Sequence, residues 1–416
     1  MRLFNTLTQT VEPLRPHGDE VTLYVCGITP YDTTHLGHAF FNVVYDTLRR
    51  HLEWRGQPVR YVQNVTDIDD DILRKARELG ATWDELGKRE TQRYVTDLTA
   101  LNVRPPTRYV RASNATKRMF ALIETLLAKG LAYERDGWVY YDVSADPSFG
   151  KLADAAGYEG YDAWLATANE RGNYPDDARK SDPLDFVMWQ AQQPGEPAWE
   201  SPWGMGRPGW HIECSAMATE HLGARIDIHG GGSDLIFPHH TCEIAQSENA
   251  TDERPFSQVW MHCGMVGLDG EKMSKSLGNL ILAADLLKKY TPDAIRTLLL
   301  SSHYRTPWEY FTSLMETAAE RVARYTTAAH AASPSAGAES VEGDETARCA
   351  IQEFAAALDD DLDTPRALTI LDRLATATMD APSPTRVAAL RQLGGVLGFR
   401  LGGANPPAPA WVSAYQ

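Results

Sequence analysis

Two short stretches, far apart in the chain, carry side chains whose chemistry makes sense only jointly. They are His35-Leu36-Gly37-His38 and Lys272-Met273-Ser274-Lys275-Ser276. Each sets two cationic or hydrogen-bonding groups among small residues. Two imidazoles and two ammoniums closing around a triphosphate would stabilise the charge that builds on a phosphoryl group under attack. The pair therefore points to nucleotidyl transfer. Taken singly neither is specific, because His-x-Gly-His arises by chance and most short basic runs are solvated loops.

The flanking patterns say what must position these groups. Residues 21–26 and 59–64 are apolar runs that read as buried strands, and 42–52 between them has a helical period. The first motif thus falls on a strand–turn–helix junction, where the first turn of a helix leaves N–H groups unpaired and favours anions. A strand–helix–strand unit of this kind predicts a parallel sheet with a ligand crevice at the strand C-termini. Further helices are predicted at 71–79, 83–101 and 117–129, with a short strand at 139–143. Residues 157–179 are polar and Gly/Asp-rich and read as an inserted, loop-rich segment. The sheet resumes at 226–229, followed by Gly230-Gly231-Gly232, a helix from about 239 and a strand at 259–265 just before the lysine loop.

From 291 the chain turns helical, a Ser/Gly/Ala-rich linker follows, and 346–358 and 365–378 are amphipathic helices. The expected fold is α/β. A Rossmann-like catalytic domain spans 1–290, with an insertion at about 105–200. A connecting helical segment (291–330), a linker (331–345), a C-terminal helical bundle domain (346–402) and an irregular tail (403–416) complete it, with no separate further module.

Composition narrows the classes. With 416 residues, 43% hydrophobic and 23% charged, the chain suits two or three globular domains. No apolar run approaches the roughly 20 residues of a membrane span, and the N-terminus lacks a secretion signal, so a cytoplasmic, monomeric protein is expected. Five scattered cysteines do not form a disulfide framework. A net charge of −16 argues against bulk coating of nucleic acid but leaves room for a local basic groove.

Cys26 ends the first strand, Cys214 follows Trp210-His211-Ile212-Glu213, and His239 and Glu243 are four apart in a helical stretch. Positions i and i+4 share a helix face, so this pair can meet one ion. Two thiolates, an imidazole and a carboxylate make a plausible zinc set by ligand softness. No CxxC supports it, however, and an isolated cysteine is most often a small buried hydrophobe. His240 is a competing ligand, and Cys242, at i+3 from His239, is the alternative to Glu243. The carboxylates of Asn64-Val65-Thr66-Asp67-Ile68-Asp69-Asp70 read as caps and loop hydrogen-bonders rather than a divalent-metal cluster.

The paired motifs resemble the HIGH and KMSKS signatures of class I aminoacyl-tRNA synthetases, with Leu36 in place of the usual Ile. Tyr24-Val25-Cys26-Gly27-Ile28-Thr29, Gly209-Trp210-His211-Ile212-Glu213-Cys214-Ser215 and Gly230 through His240 resemble cysteinyl-tRNA synthetases, and the likeness runs from the N-terminus to about residue 400. The resemblance implies ATP with Mg2+ as cosubstrate and His35, His38, Lys272 and Lys275 as catalytic groups. It implies one zinc on Cys26, Cys214, His239 and Glu243 that takes the thiolate of substrate L-cysteine. Gly27, Thr29, Thr66 and Trp210 would then contact cysteine, and Gly37, Gly231, Gly232, Asp234 and Lys275 would contact ATP.

Two families share this adenylate-forming core, and the sequence is mixed between them. Residues 243–248 and 272–279 resemble the tRNA synthetase. Residues 30–38 and 61–67, and the overall length, resemble the mycothiol cysteine ligase, which passes cysteine to the amine of glucosaminyl-inositol. Beyond Thr346 the only cations are Arg348, Arg366, Arg373, Arg386, Arg391 and Arg400. RNA affinity depends on neutralising phosphates, so this region is a poor platform for tRNA. The expectation is a cysteine-activating ligase with a small amine acceptor, with tRNA-Cys charging by a minimal chain as the alternative. Intact His35, His38, Lys272 and Lys275 argue against a pseudo-enzyme that only binds.

Overall fold

A computed structural model describes all residues except 32–33, 274–278, 332–343 and 404–416, and describes Lys272 only through its backbone. The chain begins with an antiparallel hairpin, β1 (Arg2–Asn5) and β2 (Thr10–Pro13). There follow β3 (Val21–Ile28), α1 (Leu36–Trp54), β4 (Val59–Val65), α2 (Asp70–Leu79), α3 (Trp83–Ala100) and β5 (Arg108–Arg111). Next come α4 (Thr116–Ala128), β6 (Ala132–Arg135), β7 (Trp138–Tyr141), α5 (Lys151–Ala155), α6 (Tyr161–Glu170), β8 (Phe186–Ala191) and β9 (Gly206–Pro208). The chain returns through α7 (Trp210–Leu222), β10 (Ile226–Gly232), α8 (Thr241–Thr251) and β11 (Ser257–Cys263).

The central sheet has the order β11-β10-β3-β4-β5 and all its pairings are parallel. Strand order reverses between β3 and β10, so the ligand crevice of such a sheet opens at their C-terminal ends. Those ends carry Cys26, Gly27 and Ile28 on one side and Gly230–Gly232 on the other. Alternation along β3 decides what each residue faces. Val21, Leu23 and Val25 pack in the core with α1, whereas Tyr24 and Cys26 point into the opposite core, built with α4 and α7. Period two therefore delivers the Cys26 thiol to the face that holds α7 and α8.

The insertion differs from the sequence expectation in two ways. Arg108–Arg111 pairs with β4 as the edge strand of the main sheet, so the departure begins after it rather than at about 105. The segment expected to be loop-rich contains α6 and is backed by a four-stranded antiparallel sheet, β6-β7-β8-β9. Its Gly and Asp residues mark ends and caps around a helix whose Ala168 alone is fully buried, which is why no apolar stripe announced it.

Beyond β11 lie β12 (Val266–Leu268), β13 (Glu271–Lys272), α9 (Ala283–Leu287), α10 (Pro292–Leu300), β14 (Trp308–Glu309) and α11 (Thr312–Ala329). Then α12 (Glu345–Asp359), α13 (Thr364–Asp380) and α14 (Pro384–Val396) complete the described elements. The helix expected as a connector, α11, packs on α10, α13 and α14 and belongs to the terminal bundle.

A buried ion network locks this bundle to the catalytic sheet. Arg50 and Arg296 both donate to Asp46 Oδ2, at 2.8 and 2.7 Å. Arg296 also donates to the carbonyls of Leu397 and Leu101. Burial would raise the Asp46 carboxyl, but the two guanidiniums hold it below the usual carboxylate range. Asp46→Ala leaves two buried guanidiniums without their counter-charge and should cost about 3–5 kcal/mol. The measurement is a lowered urea midpoint at unchanged slope. An unchanged midpoint would remove the network as the lock.

Candidate active site and metal centre

Gly27 stands where β3 passes over β4. Its N–H donates to Asn64 Oδ1 at 2.8 Å, and a Cβ there would lie 1.8 Å from the Asn64 carbonyl oxygen, so only glycine lets the strand end here. Cys26 then faces α7 and α8. Cys214 comes from the second turn of α7, His239 from the kinked turn before α8, and Glu243 from the first turn of α8. The ligand atoms of these four buried residues all lie within 4.8 Å of one another.

The distances are those of a ligand set. His239 Nε2 is 3.0 Å from Glu243 Oε1, and Cys26 Sγ is 3.4 Å from the same oxygen. His239 Nδ1 lies 2.8 Å from His211 Nδ1. Burial and the neighbouring His239 charge push His211 well down, so it is neutral and accepts the His239 proton. Burial alone would also depress His239, but Glu243 and Cys214 bring it up to about 10. Burial raises the Cys26 thiol, while at Cys214 burial is opposed by a hydrogen bond from Cys26 together with the charge and hydrogen bond of His239, which bring it down to about 6. Cys26 is thus the proton donor of the pair and Cys214 the first thiolate. Burial would raise Glu243, yet His229 and His239 hold it well below its ordinary range.

A thiolate, a carboxylate and two further donors converge among buried residues, with the raised His239 imidazole beside them. That donor set fits a divalent metal ion, whose binding would displace the proton. Cys242 is buried beside the cluster but is not in it. A second quartet, Cys26, His229, His240 and Glu243, also meets the spacing. His229 Nε2 lies 3.3 Å from Glu243 Oε2 and His240 Nε2 3.3 Å from Cys26 Sγ. His240 Nδ1 contacts His262 Nε2 at 2.8 Å, and His262 Nδ1 contacts Thr6 at 2.8 Å. Burial holds His240 and His262 low, the latter at about 3. Only the first quartet has a second sulfur, so we take His229, His240 and His262 as a layer orienting Cys26 and Glu243 from behind. Sequence reading missed His211, His229 and His262. Single histidines at strand and helix positions carry no spacing signal.

The paired-histidine turn lies at the other end of the same cavity. His35 caps α1, accepting the Gly37 N–H at 3.1 Å, and its ring stacks on His38 with centroids 3.7 Å apart. A Cβ at Gly37 would press on the His35 ring at 3.0 Å. The backbone bridges His35 to Leu282, and Leu36 N–H donates to the Ile281 carbonyl at 2.8 Å. The chain leaving the lysine motif is therefore tied directly to the histidine motif. Lys275 lies outside the described residues.

The cavity, about 770 Å³, joins the two ends. Cys26, Gly27, Thr29, His35, Gly37, His38, Trp210, Gly232 and Asp234 all line it. Trp210 stacks on His239, with centroids 4.2 Å apart, and so links the candidate ligand cluster to the cavity wall. Two expected contact residues are not on that wall. Thr66 is buried behind it, receiving the Asn64 amide at 3.1 Å, and Gly231 is buried with its N–H on the Tyr45 hydroxyl at 2.8 Å. The parallel ladder turns Gly231 inward, and the Asn64 amide holds Thr66 just past the end of β4. No described helix is long and apolar enough to cross a membrane.

The tRNA synthetases class I (C) catalytic domain family matches residues 12–320. A protein of Streptosporangium roseum named L-cysteine:1D-myo-inositol 2-amino-2-deoxy-alpha-D-glucopyranoside ligase is 43% identical over 412 residues, covering 99% of this chain and 93% of that protein. A Cysteine--tRNA ligase of Symbiobacterium thermophilum is also 43% identical, over 98% of this chain and 88% of that protein. The Mycobacterium tuberculosis methionyl-tRNA synthetase in complex with methionyl-adenylate shares the fold, with a TM-score of 0.62 at 16% identity, over 91% of this chain and 89% of that one. With its signature turns, its parallel sheet and a family match over most of its length, the chain belongs to the class I (C) tRNA synthetases.

Proposed function

We propose that the protein is an ATP-dependent cysteine ligase that forms cysteinyl-AMP and pyrophosphate, then passes the cysteinyl group to the amine of a small acceptor. The acceptor is of the class named for the Streptosporangium roseum relative, an amino sugar joined to inositol. The observation that carries the first half is one cavity with a two-sulfur ligand set at one end and stacked His35 and His38 at the other.

In this reading the substrate carboxylate attacks the α-phosphorus of Mg-ATP and pyrophosphate leaves. His38, with Lys272 and Lys275 and with His35 shaping the turn, stabilises the charge on the α-phosphate and leaving group. The N-terminus of α1 adds its unpaired N–H groups. Gly232 and Asp234 hold the nucleoside side, and Thr29 and Trp210 the amino acid. Thr66 and Gly231 act from behind the wall. Cys26, Cys214, His239 and Glu243 would hold zinc, which supplies a soft partner for the substrate thiolate that serine cannot match.

A small acceptor is favoured by the helical bundle. Arg321 and Arg324 both sit on Asp372, Arg373 on Glu353 and Arg386 on Asp344, so these cations are committed to carboxylates rather than offered to phosphates. The tRNA reading stays as the second one, because relatives of equal identity carry that name.

Salt separates them. Amide formation with the amino sugar should change little between about 50 and 200 mM salt, whereas charging that rests on 6–10 phosphate contacts should weaken about 10³–10⁵-fold. Robust tRNA cysteinylation at physiological salt with no amide product would make the protein a minimal cysteine–tRNA ligase.

A further inference from the structure

A second cavity, of about 870 Å³, adjoins the first and shares Asp69, Asp71, Arg74, Arg171 and Trp210 with it. It lies between α2 and the inserted antiparallel sheet, and no step described so far uses it. We infer that this cavity is the acceptor subsite, built for a neutral polyhydroxylated molecule that presents one amine to Asp69 at the junction. The inference rests on the small-amine reading above.

Three observations carry it. The volume is within the roughly 300–1,000 Å³ of small-ligand pockets. The wall is rich in polar groups, including Asn173, Asp176, Gln190 and Gln193, suited to hydroxyls that both donate and accept. Tyr174 is 65% exposed on it, an aromatic face turned to solvent.

The cations on the wall are already committed. Arg207 bonds Asp70 and Glu196, Arg179 bonds Asp177, and Arg74 bonds Asp71. Arg171 donates to the carbonyls of Asp234 and Phe237, and Lys180 to Asn173 and the Pro183 carbonyl. A wall so neutralised suits a polyol and not a phosphate chain.

Asp69 is the hinge between the cavities. It caps α2 by accepting the Ile72 N–H at 2.9 Å and is also hydrogen-bonded by Thr29 in the adenylation cavity. Burial, with Asp71 and Asp70 on its own helix, raises its carboxyl to about 6. Tyr31, from the turn after β3, Arg74 and the buried Glu213 of α7 are the other titratable groups about it. In the transfer step the acceptor ammonium gives one proton to Asp69. The amine nitrogen then bonds to the adenylate carbonyl carbon, the bond from that carbon to the AMP oxygen breaks, AMP leaves with the electron pair, and the second amine proton goes to water.

The test is a split of the two half-reactions. Tyr174→Ala and Gln190→Trp, the second placing a ring in the cavity, should leave cysteine-dependent ATP–pyrophosphate exchange within about two-fold of wild type and raise the amino-sugar KM about ten-fold or more. Asp69→Asn keeps the helix cap. It should lower amide formation and remove the acidic limb of its pH profile, which in wild type rises through about pH 6 as the carboxylate forms. Wild-type turnover with an unchanged acceptor KM in both cavity variants overturns this subsite alone. A wild-type chain that exchanges pyrophosphate but makes no amide overturns the acceptor reading, and the subsite with it.

Discussion

His38→Ala is expected to lower cysteine-dependent ATP–pyrophosphate exchange about 10²–10³-fold, the usual effect of removing one preorganised donor to a developing anion. The KM for cysteine should move far less, because in the proposed function the amino-acid contacts are Thr29 and Trp210, which line the same cavity. The two histidines are not equivalent. His35 spends its ring on the Gly37 N–H as the cap of α1, so His35→Ala combines a catalytic loss with about 0.5–2 kcal/mol of capping. Its effect on stability should therefore be visible in urea unfolding, whereas that of His38→Ala should be small. Lys275→Ala should match His38→Ala in rate, since in the proposed mechanism both act on the same charge. A His38→Ala protein that exchanges at the wild-type rate would take the turn out of the mechanism.

Cys214→Ala is expected to take zinc from about one per chain to near none and to erase most of the preference for cysteine over serine. A soft metal centre can reject the hydroxyl by far more than the roughly 10² that a shaped apolar pocket manages between isosteres. The loss should thus bring selectivity down to that level. Cys214 is the residue of choice because it is the group held as thiolate, with His239 raised and bonded beside it. His229→Gln, by contrast, should leave one zinc per chain while weakening its affinity about 10–100-fold, the effect of removing an orienting partner. Loss of all zinc in His229→Gln with retention in Cys214→Ala would assign the metal to the other quartet. Metal-free wild-type protein with undiminished preference for cysteine would sink the centre altogether.

The parts legible in the sequence are those whose physics is local. A strand–turn–helix junction with a glycine between two histidines reads directly, because capping and the unpaired N–H groups of a first turn belong to consecutive residues. His239 and Glu243 read as one ligand pair because four residues bring them to one face, and in the structure they lie 3.0 Å apart. The buried strands and amphipathic helices stood out for the same reason, as period two and period 3.6 are properties of short windows.

What only the tertiary structure decided is which distant groups meet. The helix α6 escaped notice because it buries almost nothing on its own, and α11 passed for a connector because its partners, α13 and α14, lie beyond a break in the pattern. His211, His229 and His262 gain their meaning from His239, Glu243 and His240, partners contributed by other elements. Thr66 and Gly231 have the residue types of a pocket but are held inward by Asn64 and Tyr45. The second cavity is formed by α2 facing a sheet that starts some sixty residues later. Local hydrogen bonding and periodicity are written in neighbouring residues. The convergence of unpaired chemistry is set by crossover and packing, which no window of sequence contains.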